Sequence, residues 1–154
     1  MATRTDLPLT DPDLGVLAGR LLFSVQREMF STLAEKGFDD LHPRHGSVLA
    51  YLDKDGVRAT DLSRLSGVHK QVIGTVVDEL ERLGYVERRP DPADRRAKLI
   101  CPTARGLEQM RAADAFVAGM ERRHARRLGP DVYAQFKTVF KDVVEHQRRR
   151  TTQP

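Results

Sequence analysis

The chain has 154 residues, enough for one domain at roughly 100–200 residues each. With 40% apolar and 31% charged residues it can build a core, which excludes a disordered chain, and no apolar run approaches the roughly 18 residues of a membrane helix. Its single cysteine excludes a disulfide framework and a cysteine-rich metal site, and a net charge of +4 is too small to indicate a nucleic-acid partner unless the charges are suitably placed.

The polar start, MATRTDLPLTDPD, lacks the apolar stretch of a signal peptide, so a cytoplasmic location is expected. Leu14, Leu17, Leu21, Leu22, Val25, Met29 and Leu33 recur in steps of three and four and predict an amphipathic helix to Lys36, opened by Asp11 or Asp13 and stopped by Gly37. A second helix is expected from Pro43 to Leu52, followed by a turn at Asp53–Gly56 and a short strand at Val57–Ala59. Thr60 is then expected to cap a helix over 61–66. A break at Gly67-Val68 leads into a helix from His69 to Leu83 that stops at Gly84 and turns Ile73, Val76, Val77, Leu80 and Leu83 inward.

Tyr85–Arg88 reads as a strand, Arg89–Arg96 as a loop rich in Pro and Asp, and Ala97–Cys101 as the returning strand. Two long helices follow, broken at Gly129-Pro130, and the tail from Arg148 onward is expected to fray. The apolar stripes of the outer helices are too many for one small domain to bury, and a two-fold homodimer is the simplest solution.

The order helix, turn, helix, strand, charged loop, strand is that of a winged helix–turn–helix, whose second helix enters the DNA major groove. Candidate contacts are His69, Lys70, Gln71, Gly74 and Thr75, because Gln and Lys reach base edges, Thr serves bases or phosphates, and a glycine allows close backbone approach. The acidic Asp78, Glu79 and Glu81 should point away from phosphates. In the hairpin, Arg88, Arg89, Arg95, Arg96 and Lys98 outnumber Glu87, Asp91 and Asp94, and an Arg at such a tip can enter a narrow minor groove. Asp94 could hold the Arg96 guanidinium by a bidentate pair.

The segments Asp61-Leu62-Ser63, Gly67–Gln71, Val77–Arg88, Pro90–Leu99 and Pro102–Gly106 closely resemble those of MarR-type transcriptional regulators, most specifically in Asp94-x-Arg96 and in Thr103-x-x-Gly106. The resemblance implies a mainly α-helical fold of about six helices with a winged hairpin. It implies a single domain over 1–154, with dimerisation helices at 12–36 and 103–150 and a DNA-binding region at 43–102. It further implies a homodimer that binds a pseudo-palindromic operator on double-stranded DNA, usually to repress, and that releases it on binding a small, often aromatic or phenolic, effector. The contacts carried over are His69, Lys70, Gln71 and Thr75 on the helix, with Asp94 and Arg96 on the wing; Arg88 and Arg95 add charge. His69 stands where the family often has Ser or Thr, and Thr75 where Arg is frequent, so the operator sequence does not carry over. Met29, Phe30, His45 and Tyr51 are the effector-pocket candidates, and the absence of Trp separates the chain from the urate-responsive branch.

His42 and His45 form an H-x-x-H pair, too few ligands for a zinc site, and no metal or cofactor is expected. Cys101, at the end of the wing strand, reads as a small apolar residue rather than a redox sensor. No G-x-S-x-G, P-loop or H-E-x-x-H motif supports an enzyme. The alternative reading is a winged helix that binds DNA architecturally or binds proteins, without an effector.

Overall fold

The computed structural model describes residues 11–152. The start of the chain up to Thr10, read above for targeting, lies outside them. Six α-helices and a three-stranded antiparallel sheet are present among the described residues, giving the winged helix expected from the sequence. The chain separates into two compact units, one ending at Ala113 and the other starting at Asp114.

Helix α1 (Leu14–Glu35) begins as its cap chemistry requires: the Asp13 carboxylate accepts the Val16 N–H at 2.9 Å. It ends in a Schellman closure, with Gly37 at φ +91° and the Phe38 N–H bonded to the Leu33 carbonyl. Only its last third meets the core, where Leu33 is buried and Met29 and Phe30 pack alongside. Leu14, Leu17, Leu21, Leu22 and Phe23 stay exposed.

The single helix expected over 43–52 is instead a 3₁₀ turn (Pro43–His45) running into a four-residue α2 (Gly46–Leu49). Strand β1 (Val57–Arg58) leads directly into α3 (Ala59–Ser66), so Thr60 lies inside the helix and Arg58 takes the cap position. Gly67 at φ +72° closes α3. The Ser63 hydroxyl donates to the Val68 carbonyl at 2.7 Å, fixing the tight turn into α4 (Lys70–Arg82). A second Schellman closure, Tyr85 N–H to Leu80 carbonyl across Gly84, ends α4.

Strands β2 (Val86–Asp91) and β3 (Asp94–Pro102) pair along their length, with β3 central in the order β1-β3-β2. The expected eight-residue loop is therefore only Pro92-Ala93. Pro90 is tolerated because β2 is an edge strand, and the register shifts between Pro90 and Asp91. Leu62, Ile73, Val77, Leu80, Tyr85 and Val86 form the centre of the core between α3, α4 and the sheet.

Helix α5 (Ala104–Leu128) is fastened to this core at its start. The Thr103 hydroxyl accepts the Gly106 N–H at 3.1 Å and donates to the Gly84 carbonyl at 2.6 Å, and the Thr103 N–H reaches the Tyr85 carbonyl at 3.0 Å. A Cβ on Gly106 would lie 2.1 Å from that same Tyr85 oxygen, so the close approach requires glycine. Tyr85 completes the attachment. Its buried hydroxyl donates to Asp40 at 2.5 Å and accepts from Arg105 at 2.9 Å, and burial, together with Asp40, pushes its pKa up to about 12.

In the second unit the end of α5 and α6 (Pro130–Thr152) face each other across Gly129. His124 stacks on Tyr133 and Lys137 pairs with Glu121 at 2.5 Å. Far from fraying at Arg148, α6 continues through the arginines, whose charge suits a helix C-terminus. Val132, Phe136, Val139, Val143 and Val144 are exposed along it.

Candidate nucleic-acid interface

Helix α4 buries Ile73, Val76, Val77 and Leu80 and turns Lys70, Gln71 and Thr75 to solvent. His69 caps it: the ring Nδ1 accepts the Gln71 N–H at 3.2 Å. An imidazole thereby does the work that Ser or Thr does at many helix starts. With Nδ1 accepting, Nε2 is the ring nitrogen that carries the N–H donor. A Cβ on Gly74 would meet nothing within 4 Å, so the backbone there is open to an approaching surface.

The acidic half of α4 is not merely turned from DNA; it holds the helix in place. Glu79 accepts from Arg44 at 2.8 Å and from His45 at 3.0 Å, which ties α4 to the 3₁₀ turn. Those two hydrogen bonds hold the Glu79 carboxyl below the usual carboxylate range. Arg88 reaches back from β2 to Asp78 at 2.5 Å and to Glu81. Arg88 thus departs from the expected DNA contact: its guanidinium is committed to two carboxylates, partners seven and ten residues away that sequence spacing alone does not reveal.

His45 is wholly buried and both ring nitrogens are engaged, Nε2 with Glu79 and Nδ1 with the His42 N–H at 3.0 Å. It therefore offers no nitrogen to an effector or a metal, contrary to its place among the pocket candidates, and no metal-ligating cluster of three or more occurs among the described residues. Burial lowers its pKa from the ordinary 6.5, with Glu79 opposing. Below that value the unfolded chain takes up a proton that the folded chain refuses, so stability is complete above about pH 6.5 and falls as the pH drops toward the folded-state pKa. Thermal melts followed by circular dichroism should show the melting temperature falling between pH 6.5 and 5. His45→Gln should melt lower at pH 8 yet with a flatter slope over that window; an unchanged slope would remove His45 as the titrating group.

The wing is anchored by a pair that sequence reasoning missed. Asp91, counted among loop charges, is buried. Its Oδ2 accepts from Arg58 Nε at 2.7 Å and its Oδ1 accepts the Ala93 N–H at 2.8 Å, joining the wing tip to β1. The Ala93 N–H and the Arg58 guanidinium together hold this carboxyl below its ordinary pKa. An isolated Asp in a Pro-rich segment gave no signal of this; Arg58 lies 33 residues away.

Asp94 does hold Arg96, but differently from expectation: its carboxylate accepts the Arg96 backbone N–H at 3.0 Å, shaping the turn rather than gripping the guanidinium. Arg89 is paired with Glu87. Among the described residues Arg95, Arg96 and Lys98 are exposed without a carboxylate partner. Three cations on one hairpin are thus left available, beside a helix whose anions are each held by a partner.

Of the other pocket candidates, Met29 and Phe30 pack on the core flank, and Tyr51 is exposed. Cys101 is buried in β3, with its sulfur against the bare α-carbon of Gly56.

The MarR family pattern matches residues 39–97, from the loop after α1 into the wing. Among solved structures, the chain is 30% identical to CouR from Rhodococcus jostii RHA1 bound to p-coumaroyl-CoA (TM-score 0.71), covering 88% of this chain and 94% of that one. It is equally 30% identical to a MarR-family transcriptional regulator from Rhodococcus sp. RHA1 (TM-score 0.69), with the same coverage. The repressor CouR bound to a 23-mer DNA duplex is 25% identical (TM-score 0.68), covering 86% and 92%. No curated protein is significantly similar in sequence.

Proposed function

The chain belongs to the MarR family of transcriptional regulators, a family of regulators and not of enzymes, and we propose that it is a homodimeric, sequence-specific repressor whose grip on DNA is released by a small molecule. The carrying observation is the charge arrangement around α4: its anions are paired with Arg44 and Arg88, with a further hydrogen bond from His45, while among the described residues Arg95, Arg96 and Lys98 have no carboxylate partner on the wing. In this reading His69, Lys70, Gln71, Gly74 and Thr75 meet the major groove, and Arg96, with Arg95, meets the adjacent minor groove. Two copies bind half-sites about one helical turn, some 10 base pairs, apart.

The exposed apolar residues of α1 and of α6 supply the dimer interface, since patches of that kind on a soluble chain mark association surfaces. No helix among the described residues is long and apolar enough to cross a membrane. As a DNA-binding regulator, the protein is placed by this reading in the cytoplasm. The likeness to CouR supports an aromatic acid or its coenzyme A thioester as effector class. Thermal-shift screening with p-coumaroyl-CoA and free phenolic acids tests this, because a ligand of the folded state raises the melting temperature.

Fluorescence anisotropy with the gene's own upstream region and a scrambled duplex, at two salt concentrations, tests the central claim. Tight binding to the native region with a steep salt slope is expected. Equal, salt-sensitive binding to both duplexes would favour the architectural reading. Gln71→Ala should cost about tenfold on the native region and little on the scrambled one, the loss of one bidentate base contact. Equal losses on both would contradict base readout by Gln71.

A further inference from the structure

Helix α4 carries one large apolar side chain that the core does not use. Val72 is 50% exposed, whereas Ile73, Val76 and Val77 on the same helix are at most 4% exposed. On a helix of 3.6 residues per turn, Val72 stands within about 60° of Thr75 and one step from Gln71. Thr75 donates its hydroxyl proton to the Gln71 carbonyl at 3.2 Å, so what remains for an outside partner is its methyl group and an oxygen lone pair. The two residues form a small apolar facet beside the Gln71 amide.

In the free protein this facet brings no benefit. A β-branched residue is a weaker helix former than the straight-chain polar residues usual on a solvated face, and here no burial compensates. The major groove offers it a partner, because the C5-methyl of thymine is the apolar group on that edge of the base pairs. We infer that Val72, with the Thr75 methyl, reads a thymine methyl group in each operator half-site, next to the base that Gln71 contacts. The inference rests on the proposed reading of α4 as the groove-entering helix, and adds to it a residue and a base that the pattern of polar contacts does not supply.

The test uses the full-length protein and the DNA region it protects from nuclease digestion. Each thymine of that region is replaced in turn by deoxyuridine, which removes the methyl and leaves every hydrogen-bonding group in place. The wild type should lose about fourfold in affinity at one position per half-site, the transfer free energy of one buried methyl expressed as a binding ratio. Val72→Ala should bind the unmodified operator more weakly and should no longer distinguish deoxyuridine from thymine at that position. Since Val72 is half exposed and Ala favours helix, an unchanged or higher melting temperature will show that the variant is folded. Full wild-type affinity for every substituted duplex overturns the inference and leaves operator binding standing. A Val72→Ala protein that keeps the deoxyuridine sensitivity assigns the methyl to another side chain and overturns it too. A wild type that protects no sequence overturns both the inference and the operator reading beneath it.

Discussion

Gly106→Ala should lower the unfolding free energy by about 3 kcal/mol, at the upper end of overpacking costs, and the melting temperature by about 10 °C. The added Cβ would stand 2.1 Å from the Tyr85 carbonyl oxygen and 3.2 Å from the Pro102 Cβ. The main obstacle is backbone, so no rotamer change relieves it. α5 has to move outward, and that breaks the Thr103 hydrogen bonds to Gly84 and Tyr85 and strains the Arg105 contacts to Tyr85 and Asp40. Gly74→Ala is the matched control. Its Cβ enters open space, so it should stabilise the free protein by up to about 1 kcal/mol through helix propensity alone. Thermal denaturation of both variants decides the point; similar melting temperatures would show that α5 accommodates the methyl.

Arg96→Ala should weaken operator binding at least tenfold, about 1.4 kcal/mol, and reduce the salt slope by about one counterion if the side chain sits near phosphate. The guanidinium has no carboxylate partner among the described residues, while its backbone is held by Asp94 on a hairpin tip itself fixed by the Arg58–Asp91 pair. The side chain is therefore presented by a firm base and has no intramolecular interaction to give up on binding. Arg88→Ala is the contrast. Its guanidinium serves Asp78 and Glu81, so its loss should lower stability and leave those carboxylates uncompensated near α4. Anisotropy titrations against salt, with melting curves alongside, separate the two; unchanged affinity in Arg96→Ala would remove the wing from the mechanism.

What the sequence reveals and what it hides follow from interaction range. The limits of α1 and α4 were legible because helix period, Asp13, Gly37 and Gly84 act within a few residues of one another. The winged order of elements was legible for the same reason. The hairpin was misread because Pro and Asp signal loops locally, while Pro90 and Asp91 are kept in strand by pairing with Lys98 and Asp94 and by Arg58 from β1. Thr60 lost its expected cap role because α3 starts straight off β1 at Ala59. In the site, the exposure of Lys70, Gln71 and Thr75 on α4 and of Arg95 and Arg96 on the wing could be read from the chain. The partners of Arg88, His45 and Asp91 could not, since each is chosen by tertiary proximity. Val72 stood in neither the inward stripe nor the list of contacts, because base-edge contacts were sought among polar side chains and glycine, and its exposure is set by the fold.

The partition of α4 bears on how such a regulator can change its targets over generations. The groups that fix the helix, Asp78, Glu79 and Glu81, occupy its second half; the outward-facing side chains proposed to read DNA, His69, Lys70, Gln71 and Thr75, occupy the first. A mutation that retunes the preferred DNA word therefore touches no anchoring contact, apart from the cap at His69. New specificities can be sampled without first surviving a misfolded intermediate, and the lineage is free to drift from one promoter to another on an unaltered scaffold.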